Sequence, residues 1–579
     1  MTRSGRISKP SGSWWSALSI IEEHNALAAI STKEVPKTYK EAISGPDADF
    51  WKKGIESEIS SLKKYNTWKL IPRSETNGKK VLTSKWVFVE KQNVDANGKM
   101  TPFPKGRNVV RGFQQVQGVD YGETFAPVIK YSSVRSLCST VADQDLEFHQ
   151  MDATTAFLNG EIDEDIYIEI PEGVEIEQSD VEKLGLKNMN DLKNLDLVAK
   201  LEKSMYCTKQ APRCWNKKIN STIADELGFK RSDADPCLYI KHDKDGIMMI
   251  ALYVDDMLLA AKTMSQINWI KTKLSERFDM KDLGEAKLCL GLELSRDRKA
   301  RKLWLTQQSY MEKIVERFGM NNSKPVATPM EEPNKLEQRL EFHSVSDEDA
   351  KGVPYREAIG SLMYLMIGSR PDIAYAVGKL ARFCENPKMK HWIAVKRVLR
   401  YVKGTSKMGL CYNGLNPEKV VGYTDSDWAG DVSDRKSTSA YVFMMAGAAV
   451  TWNSTKQTII ATSSCEAEYV AMSATSKEAI WLTRLLKDFP VKNYLEKGMI
   501  VRADSQSAMK LAANESINRR NKHIDITYHF VREVTSNGQV TLTYVPTSNM
   551  IADMLTKPLG RVKFEKLRSM IGLQIQGEF

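Results

Sequence analysis

Leu252-Tyr253-Val254-Asp255-Asp256-Met257-Leu258-Leu259 is the stretch from which the rest of the chain can be read. The apolar run Ile247-Met248-Met249-Ile250-Ala251 precedes it and a second, from Met257 to Ala261, follows. Such runs around a short polar break predict two buried strands joined by a tight turn. The turn carries two neighbouring carboxylates. Like charges repel, and burial penalises both ions unless a positive charge sits beside them. A divalent cation that accepts hard oxygen ligands, such as magnesium, resolves the conflict. A solvated Asp-Asp turn is the alternative, and the pair alone does not decide between them.

The chain of 579 residues is long enough for three or four domains, and its 42% hydrophobic residues supply sizeable cores. A net charge of +10 favours a polyanionic partner. The eight cysteines (138, 207, 214, 237, 289, 384, 411 and 465) show no CxxC spacing. That argues against a zinc knuckle or a secreted disulfide framework, and for a reducing compartment. Met1-Thr2-Arg3-Ser4-Gly5-Arg6 opens on basic and polar residues without an apolar signal core, and no stretch reaches membrane-spanning length. A soluble intracellular protein that keeps clear of membranes is expected.

Residues 1–45, rich in Ser, Gly, Lys and Arg around Trp14-Trp15, read as a disordered basic spacer. Trp51, Ile55, Ile59 and Leu62 then recur at helical spacing after Asp49. Residues 81–90 predict a strand, and Asn97-Gly98 a hairpin turn into the basic strand Lys105-Gly106-Arg107-Asn108-Val109-Val110-Arg111-Gly112. Helical text follows at 134–146, 215–227 and 265–278. Strands are expected around His149-Gln150-Met151-Asp152 and at 238–241, with an acidic, irregular excursion at 171–198. Residues 330–352 read as a charged linker and 355–404 as helices. Beyond Val420 the pattern turns strand-rich, with a long helix at 466–487 and a strand at 499–503. The expected domains are therefore 46–330, 331–415 and 416–579.

Asp152, at the end of its strand, makes a three-carboxylate set with Asp255 and Asp256. Such a set can hold two metal ions, roughly 3.5–4 Å apart, which stabilise the attacking and leaving oxygens of an in-line phosphoryl transfer. Strand ends suit this work because rigid strands fix the spacing.

These residues sit within longer motifs. Gln150-Met151-Asp152 with Ala156-Phe157-Leu158-Asn159-Gly160, Lys209-Gln210-Ala211-Pro212-Arg213 and Tyr253-Val254-Asp255-Asp256 resemble the reverse transcriptase of copia-type long-terminal-repeat retrotransposons. The resemblance includes Gly118-Val119-Asp120-Tyr121-Gly122-Glu123-Thr124-Phe125-Ala126-Pro127, Met280-Lys281-Asp282-Leu283-Gly284-Glu285-Ala286 and Pro354-Tyr355-Arg356-Glu357-Ala358-Ile359-Gly360-Ser361-Leu362, and runs from about 36 to 560. It implies an α/β (α+β) chain: a right-hand polymerase of fingers and palm (46–330), a linker with helical thumb or connection (331–415) and an RNase H-like α/β domain (416–579). Asp152, Asp255 and Asp256 would then be the polymerase metal ligands. Lys105 and Arg107 would hold the incoming triphosphate, where a guanidinium can clamp phosphate oxygens. Phe157 would be the steric gate that rejects a ribose 2′-hydroxyl, Gln210 would contact the nucleotide, and Leu290-Gly291 would belong to the primer grip. Read without the resemblance, these are ordinary surface or core residues.

A second acidic set lies beyond 415. Asp425 sits in Gly422-Tyr423-Thr424-Asp425-Ser426-Asp427-Trp428, Glu466 in Ser463-Ser464-Cys465-Glu466-Ala467-Glu468, Asp504 after a strand and Asp553 in Asn549-Met550-Ile551-Ala552-Asp553. The resemblance implies that Asp425, Glu466, Asp504 and Asp553 are the RNase H metal ligands. Asp427, Asp431 and Glu468 are the neighbouring acids set aside on the family pattern. Taken singly, Glu466 and Asp504 are also good helix caps. His523 and His529, in Lys522-His523-Ile524-Asp525-Ile526-Thr527-Tyr528-His529-Phe530, match a further family motif, with product release and simple packing both open.

The implied activity is RNA-directed DNA synthesis with cleavage of the RNA strand of the hybrid, using two Mg2+ per site with Mn2+ as a substitute. Partners would be an RNA template, a DNA or tRNA primer, dNTPs and the RNA–DNA hybrid. Integrase and capsid-like proteins of the same element, and a second copy in a dimer, are compatible. The cytoplasm, in virus-like particles, is the expected place, with the nucleus as the alternative. Nucleic-acid affinity would come mainly from Lys and Arg on phosphates and so fall with salt. Two features point the other way. The family's usual Gly-Leu before Lys-Gln-Ala-Pro-Arg is Cys207-Thr208 here, and Asn108, Cys214 and Cys289 replace expected residues. They favour the rival reading, a catalytically inactive remnant that only binds nucleic acid or protein. An RNA-dependent RNA polymerase would share the palm acids, but a gate at Phe157 and an attached RNase H set speak against it.

Overall fold

The structure is a computed structural model and describes residues 35–94, 100–331, 350–416, 420–491, 498–513 and 525–576. They divide into two compact units. One comprises the segment ending at Pro127 together with Ala153–Leu227; the other comprises Val128–Asp152 and everything from Gly228 onward.

In the first unit, helix Ala48–Lys64 buries Trp51, Ile55 and Leu62, the stripe that their spacing of three and four requires, and ends on Lys63 and Lys64, favourable at the negative end of the helix dipole. It packs on a long hairpin, Ser84–Val94 against Met100–Val110, in which Trp86 faces Asn108 and Val87 faces Arg107. Gly54 and Gly106 make that packing close. A Cβ on Gly54 would lie 3.0 Å from the Gly106 nitrogen, so the helix seats directly on the basic strand. The Asn97-Gly98 turn lies outside the described residues. Below the hairpin, strands Trp68–Pro72, Leu197–Leu201, Tyr167–Ile168 and Val81–Leu82 form a sheet in that order over Leu62, Leu158 and Met205. The 171–198 excursion contains a short helix, Gln178–Lys183.

Two of the unusual residues are strained or unsatisfied. Asn108 is fully buried, and neither its amide nitrogen nor its amide oxygen has a hydrogen-bond partner among the described residues. Its backbone N–H donates to Glu58 Oε1 (3.3 Å), and burial pushes the Glu58 carboxyl up to about 7 against the pull of Asn108, Arg107 and Lys105. Cys207 has φ +68, the left-handed region that glycine enters without cost. Cys207→Gly is therefore expected to raise stability by about 1 kcal/mol. The relief of the Cβ clash, about 1–2 kcal/mol, is partly offset by the freer unfolded chain. A urea midpoint shifted upward at unchanged slope is the expected readout, and a downward shift would refute the strain.

The second unit is built on a six-stranded sheet. Its strand order is Met280–Glu285, Glu147–Ala153, Asp256–Ala261, Gly246–Tyr253, Leu238–Asp243 and Lys230–Arg231. Gly246–Tyr253 and Asp256–Ala261 are the two apolar runs, paired antiparallel as the sequence pattern predicts. Helix Tyr131–Gln144 and helices Tyr355–Gly368, Ala374–Ala381 and Met389–Gly404 share one large apolar core with this sheet. A second sheet, in the order Leu288–Cys289, Leu292–Asp297, Lys302–Thr306, Met408–Asn413 and Leu573–Ile575, draws the C-terminal residues back beside 288–306. The third sheet follows the order Ala448–Lys456, Thr438–Met445, Val420–Ser426, Met499–Ala503, Val540–Tyr544. Its first three strands are antiparallel, its last two join in parallel, and helix Ser464–Lys487 packs against it. This is the RNase H-like α/β arrangement.

Two buried cations tie these layers together. Arg135 donates to the carbonyls of Val450 (2.7 Å), Ile367 (2.7 Å) and Gly368 (2.8 Å), and its guanidinium lies 3.9 Å over the Trp452 ring. Helix Tyr131–Gln144 is thereby fixed both to helix Tyr355–Gly368 and to an RNase H-like strand. Arg370 and Asp372 form a fully buried ion pair (2.7 Å), with Tyr401 Oη donating to Asp372. Burial alone would raise the Asp372 carboxyl, yet Arg370 and Tyr401 hold it below the usual carboxylate range. All eight cysteines are free thiols, and among the described residues no helix is long and apolar enough to cross a membrane.

Candidate active sites

Strand register assembles the first acidic set. Tyr253 pairs with Asp256, which leaves Val254-Asp255 as a two-residue turn. Val254 takes φ +53, an uncomfortable conformation for a β-branched residue, imposed by the paired strands on either side. On the other side of the hairpin, Asp256 stands directly opposite Asp152. Like charges facing each other across an antiparallel pair are destabilising, so this register costs stability unless a cation is shared. Beneath them Met151, Leu252 and Met257 are buried, which removes solvent from one side of the carboxylates. Gln150 Nε2 donates to Asp256 Oδ1 (3.3 Å) and orients it. The three acids predicted from sequence therefore gather at one end of adjacent strands.

Leu290-Gly291 forms another two-residue turn, between Cys289 and Leu292, with φ +55 and +70. The Leu290 carbonyl accepts hydrogen bonds from Tyr131 Oη (3.2 Å) and Tyr364 Oη (2.8 Å). A Cβ on Gly291 would collide with Tyr364 Oη, so glycine is required there. The expected primer-grip segment is thus a rigid turn pinned by two tyrosines.

The residues expected to bind nucleotide belong to the first unit. Lys105 and Arg107 are half-buried on the hairpin strand. Arg107 lies 4.7 Å over the Tyr206 ring, and half-buried Phe157 meets the same ring edge-on at 5.4 Å. Gln210 is fully buried. Its amide nitrogen donates to Asp120 O (3.2 Å) and Glu164 Oε2 (3.2 Å), and its oxygen accepts from Gln115 (3.0 Å). In this structure Gln210 is an internal tie, with its amide committed to protein partners.

The second acidic set is organised by parallel strands. Gly422 pairs with Val501 and Tyr423 with Arg502, so counting on three residues from the first pair brings Asp425 level with Asp504. The third acid is Glu468, not the Glu466 expected from sequence. Carboxylate oxygens of Asp425, Glu468 and Asp504 all lie within 4.8 Å of one another. Glu466 instead turns back and accepts from Thr462 N (2.7 Å) and Thr462 Oγ1 (2.5 Å), while its own N–H donates to the N-cap Ser463 Oγ (3.2 Å). Those contacts make it a capping residue. Asp553 is completely buried, and its carboxylate is held by Lys557 (2.6 Å) and by Lys563. Thr547 Oγ1 donates to Asp504 (2.7 Å), and Thr556 Oγ1 donates to Asp425.

Burial pushes the Glu468 and Asp425 carboxyls well above the usual range; repulsion from Asp425 and Asp504 adds to it at Glu468, and at Asp425 repulsion from Asp553 and Asp504 does so against the pull of Lys557. Glu468 Oε2 is buried and has no hydrogen-bond partner among the described residues. An orphaned carboxylate oxygen in a cluster of repelling acids is what a divalent cation satisfies, so these residues fit a metal ion. His523 lies outside the described residues, as does the side chain of His529.

Residues 65–332 match the family model described as reverse transcriptase (RNA-dependent DNA polymerase). The putative transposon Ty5-1 protein of Saccharomyces cerevisiae is 34% identical over 329 residues, which are 57% of this chain and all of that protein. This chain belongs to the reverse transcriptase family of copia-type retrotransposons. The retrovirus-related Pol polyprotein from transposon TNT 1-94 of Nicotiana tabacum is 42% identical over 546 residues, 94% of this chain and 39% of that polyprotein. The corresponding polyprotein from transposon RE1 of Arabidopsis thaliana is 33% identical over 95% of this chain and 35% of its own length. The chain thus spans about two-fifths or less of the Pol polyproteins it matches. A solved structure of a foamy viral protease-reverse transcriptase in complex with dsDNA aligns at 12% identity and a TM-score of 0.32, covering 86% of this chain and 83% of that one.

Proposed function

We propose that this reverse transcriptase family member is an RNA-directed DNA polymerase with RNase H activity. It would copy element RNA into DNA and cleave the RNA strand of the resulting hybrid. The observation that carries the reading is the register of the palm hairpin: Asp256 opposite Asp152, with Asp255 in the adjoining turn. These three acids would hold Mg2+, as Asp425, Glu468 and Asp504 would at the second site. Bound there, Mg2+ supplies positive charge that activates an attacking oxygen and stabilises the leaving one.

The chain's own residues do the rest. Lys105 and Arg107 offer cations to a triphosphate, and the Tyr206 ring braces Arg107. Phe157, packed edge-on against the same ring, presents a bulk that disfavours a 2′-hydroxyl. The turn at Leu290-Gly291 steadies a primer end. At the second site Thr547 orients the half-buried Asp504 and Thr556 orients the buried Asp425. RNA template, DNA or tRNA primer, dNTPs and hybrid are the proposed partners, in cytoplasmic particles of the element. The test is extension of a DNA primer on an RNA template with dNTPs and Mg2+.

A second reading, an inactive remnant that only binds, is favoured by Cys207 at φ +68 and by the unsatisfied Asn108. Folded, hybrid-binding protein that neither extends a primer nor cleaves RNA would select it.

A further inference from the structure

Two tyrosine hydroxyls share one acceptor beside the palm acids. Tyr131 Oη (3.2 Å) and Tyr364 Oη (2.8 Å) both donate to the Leu290 carbonyl, which uses both lone pairs of that oxygen. The turn they hold has an exposed tip, Gly291, and a buried base, Cys289. It stands close to the palm hairpin. Burial raises the Cys289 thiol, and the Asp256 charge raises it further. Burial, then Tyr364 and Tyr253, likewise raise the Tyr131 hydroxyl, and Tyr253 is the last residue before the Val254-Asp255 turn.

Both phenol rings are held from behind. They sit on different helices, Tyr131–Gln144 and Tyr355–Gly368, which are joined again one helical turn further along. There Arg135 donates to the carbonyls of Ile367 (2.7 Å) and Gly368 (2.8 Å). Arg135 is itself fixed by the Val450 carbonyl (2.7 Å) and by the Trp452 ring, whose indole N–H donates to Met366 O (3.0 Å). The Tyr310 ring meets Tyr364 edge-on at 4.8 Å. None of this packing uses the two hydroxyls. What they add is aim, because they fix one backbone carbonyl and with it the turn.

We propose that Tyr131 and Tyr364 are positioning residues for primer extension: their paired hydroxyls set where the Leu290-Gly291 turn holds a primer end relative to Asp255 and Asp256. Two donors on one acceptor make the device redundant. Loss of either hydroxyl leaves the carbonyl one hydrogen bond, and loss of both leaves it none and frees the turn to shift. A misplacement of about 1 Å at a reacting end slows chemistry by about 10²-fold.

This inference rests on the reading of the turn as a primer grip, and the test separates the two claims. The maximal rate of single-nucleotide addition to a DNA primer on an RNA template is measured with Mg2+, and affinity for the primer–template by fluorescence anisotropy. The proteins are the wild type, Tyr131→Phe, Tyr364→Phe, the double variant and Gly291→Ala, each below its melting temperature. Phenylalanine keeps the packed rings. Each single variant is expected within about threefold of the wild-type rate, and the double variant at least about tenfold below it with affinity within about twofold. Gly291→Ala, whose Cβ would collide with Tyr364 Oη, is expected to behave as the double variant does. Tyr131→Phe with Tyr364→Met serves as a second double variant should the first not fold. A double variant as fast as the singles, a single as slow as the double, or an equal loss of rate and affinity would overturn the proposal. If Gly291→Ala alone is slow, the primer-grip reading stands without the tyrosines. If neither Gly291→Ala nor the double variant is slow, that reading falls as well.

Discussion

Asp256→Asn is expected to abolish primer extension, by at least about a thousandfold, while cleavage of the RNA strand in a preformed hybrid stays within about twofold. Asparagine keeps the shape of the side chain and can still accept from Gln150 Nε2, so the register of Asp256 opposite Asp152 should persist. What is lost is a formal charge from a set that, on the proposed function, holds metal ions and offsets charge that develops on phosphate oxygens. Electrostatic contacts of this kind, in a site partly shielded from water, are the largest single contributions to catalysis, and removing one costs about 10²–10³ in rate. Loss of a ligand in a two-metal site adds to that figure. The same substitution relieves a repulsion across the strand pair, so the melting temperature should stay constant or rise. A variant that is inactive because it is unfolded would move the other way. Extension persisting near the original rate would remove Asp256 from the chemistry.

Glu468→Gln is expected to reduce hybrid cleavage by at least about a hundredfold and to leave primer extension within twofold. Glu466→Gln is expected to do neither, but to lower stability by about 1 kcal/mol. The contrast follows from where the two side chains point. Glu468 faces Asp425 and Asp504 across the strand ends, and Glu466 closes the first turn of its own helix on Thr462. Cleavage assays on a labelled hybrid, together with urea denaturation of both variants, separate the two roles. Cleavage lost in Glu466→Gln and kept in Glu468→Gln would reverse the assignment.

How much of this was legible in the sequence depended on the distance over which each feature is decided. The palm hairpin is local. Two apolar runs around a short polar break leave little choice of pairing, and the hairpin follows; the turn itself is Val254-Asp255, one residue earlier than the Asp-Asp turn expected, with Asp256 already in the second strand. The pairing of Asp152 with Asp256 spans over a hundred residues, and no periodicity announces it; the strand-end position of Asp152 suggested the grouping and the resemblance supported it, but the register itself comes from the fold. The exchange of Glu466 for Glu468 was decipherable in principle. Ser463-Ser464-Cys465-Glu466 has the Ser-x-x-Glu spacing of a capping box, which assigns Glu466 to the backbone. Glu468 heads the stripe Met472, Thr475, Ala479 and Leu482, all buried, with Thr475 Oγ1 bonded to Thr424 one residue before Asp425. From Glu466 the corresponding positions run through Val470 and Ser473 to the exposed Lys477.

Other features were beyond sequence reasoning. Strand Met408–Asn413 joins Lys302–Thr306 on one side and Leu573–Ile575 on the other, a non-local pairing between short segments. Arg135 reads as an ordinary basic residue on a helix until its three carbonyl acceptors are seen. The commitment of Gln210 to Asp120, Glu164 and Gln115 likewise depends on loops brought together by the fold. Cys207 shows the opposite case. A glycine expected at a turn already says what backbone conformation the replacement must adopt, and φ +68 agrees.

The most direct measurement uses one substrate with two labels: a DNA primer annealed to a longer RNA template, each strand carrying its own fluorophore, incubated with the wild-type chain, dNTPs and Mg2+. Primer lengthened to the template end, with the RNA strand shortened in the same reaction and both changes lost on chelating the metal, is the expected result. Folded protein that binds this substrate in a salt-dependent manner, yet alters neither strand, would contradict the polymerase and RNase H assignment and leave a binding remnant.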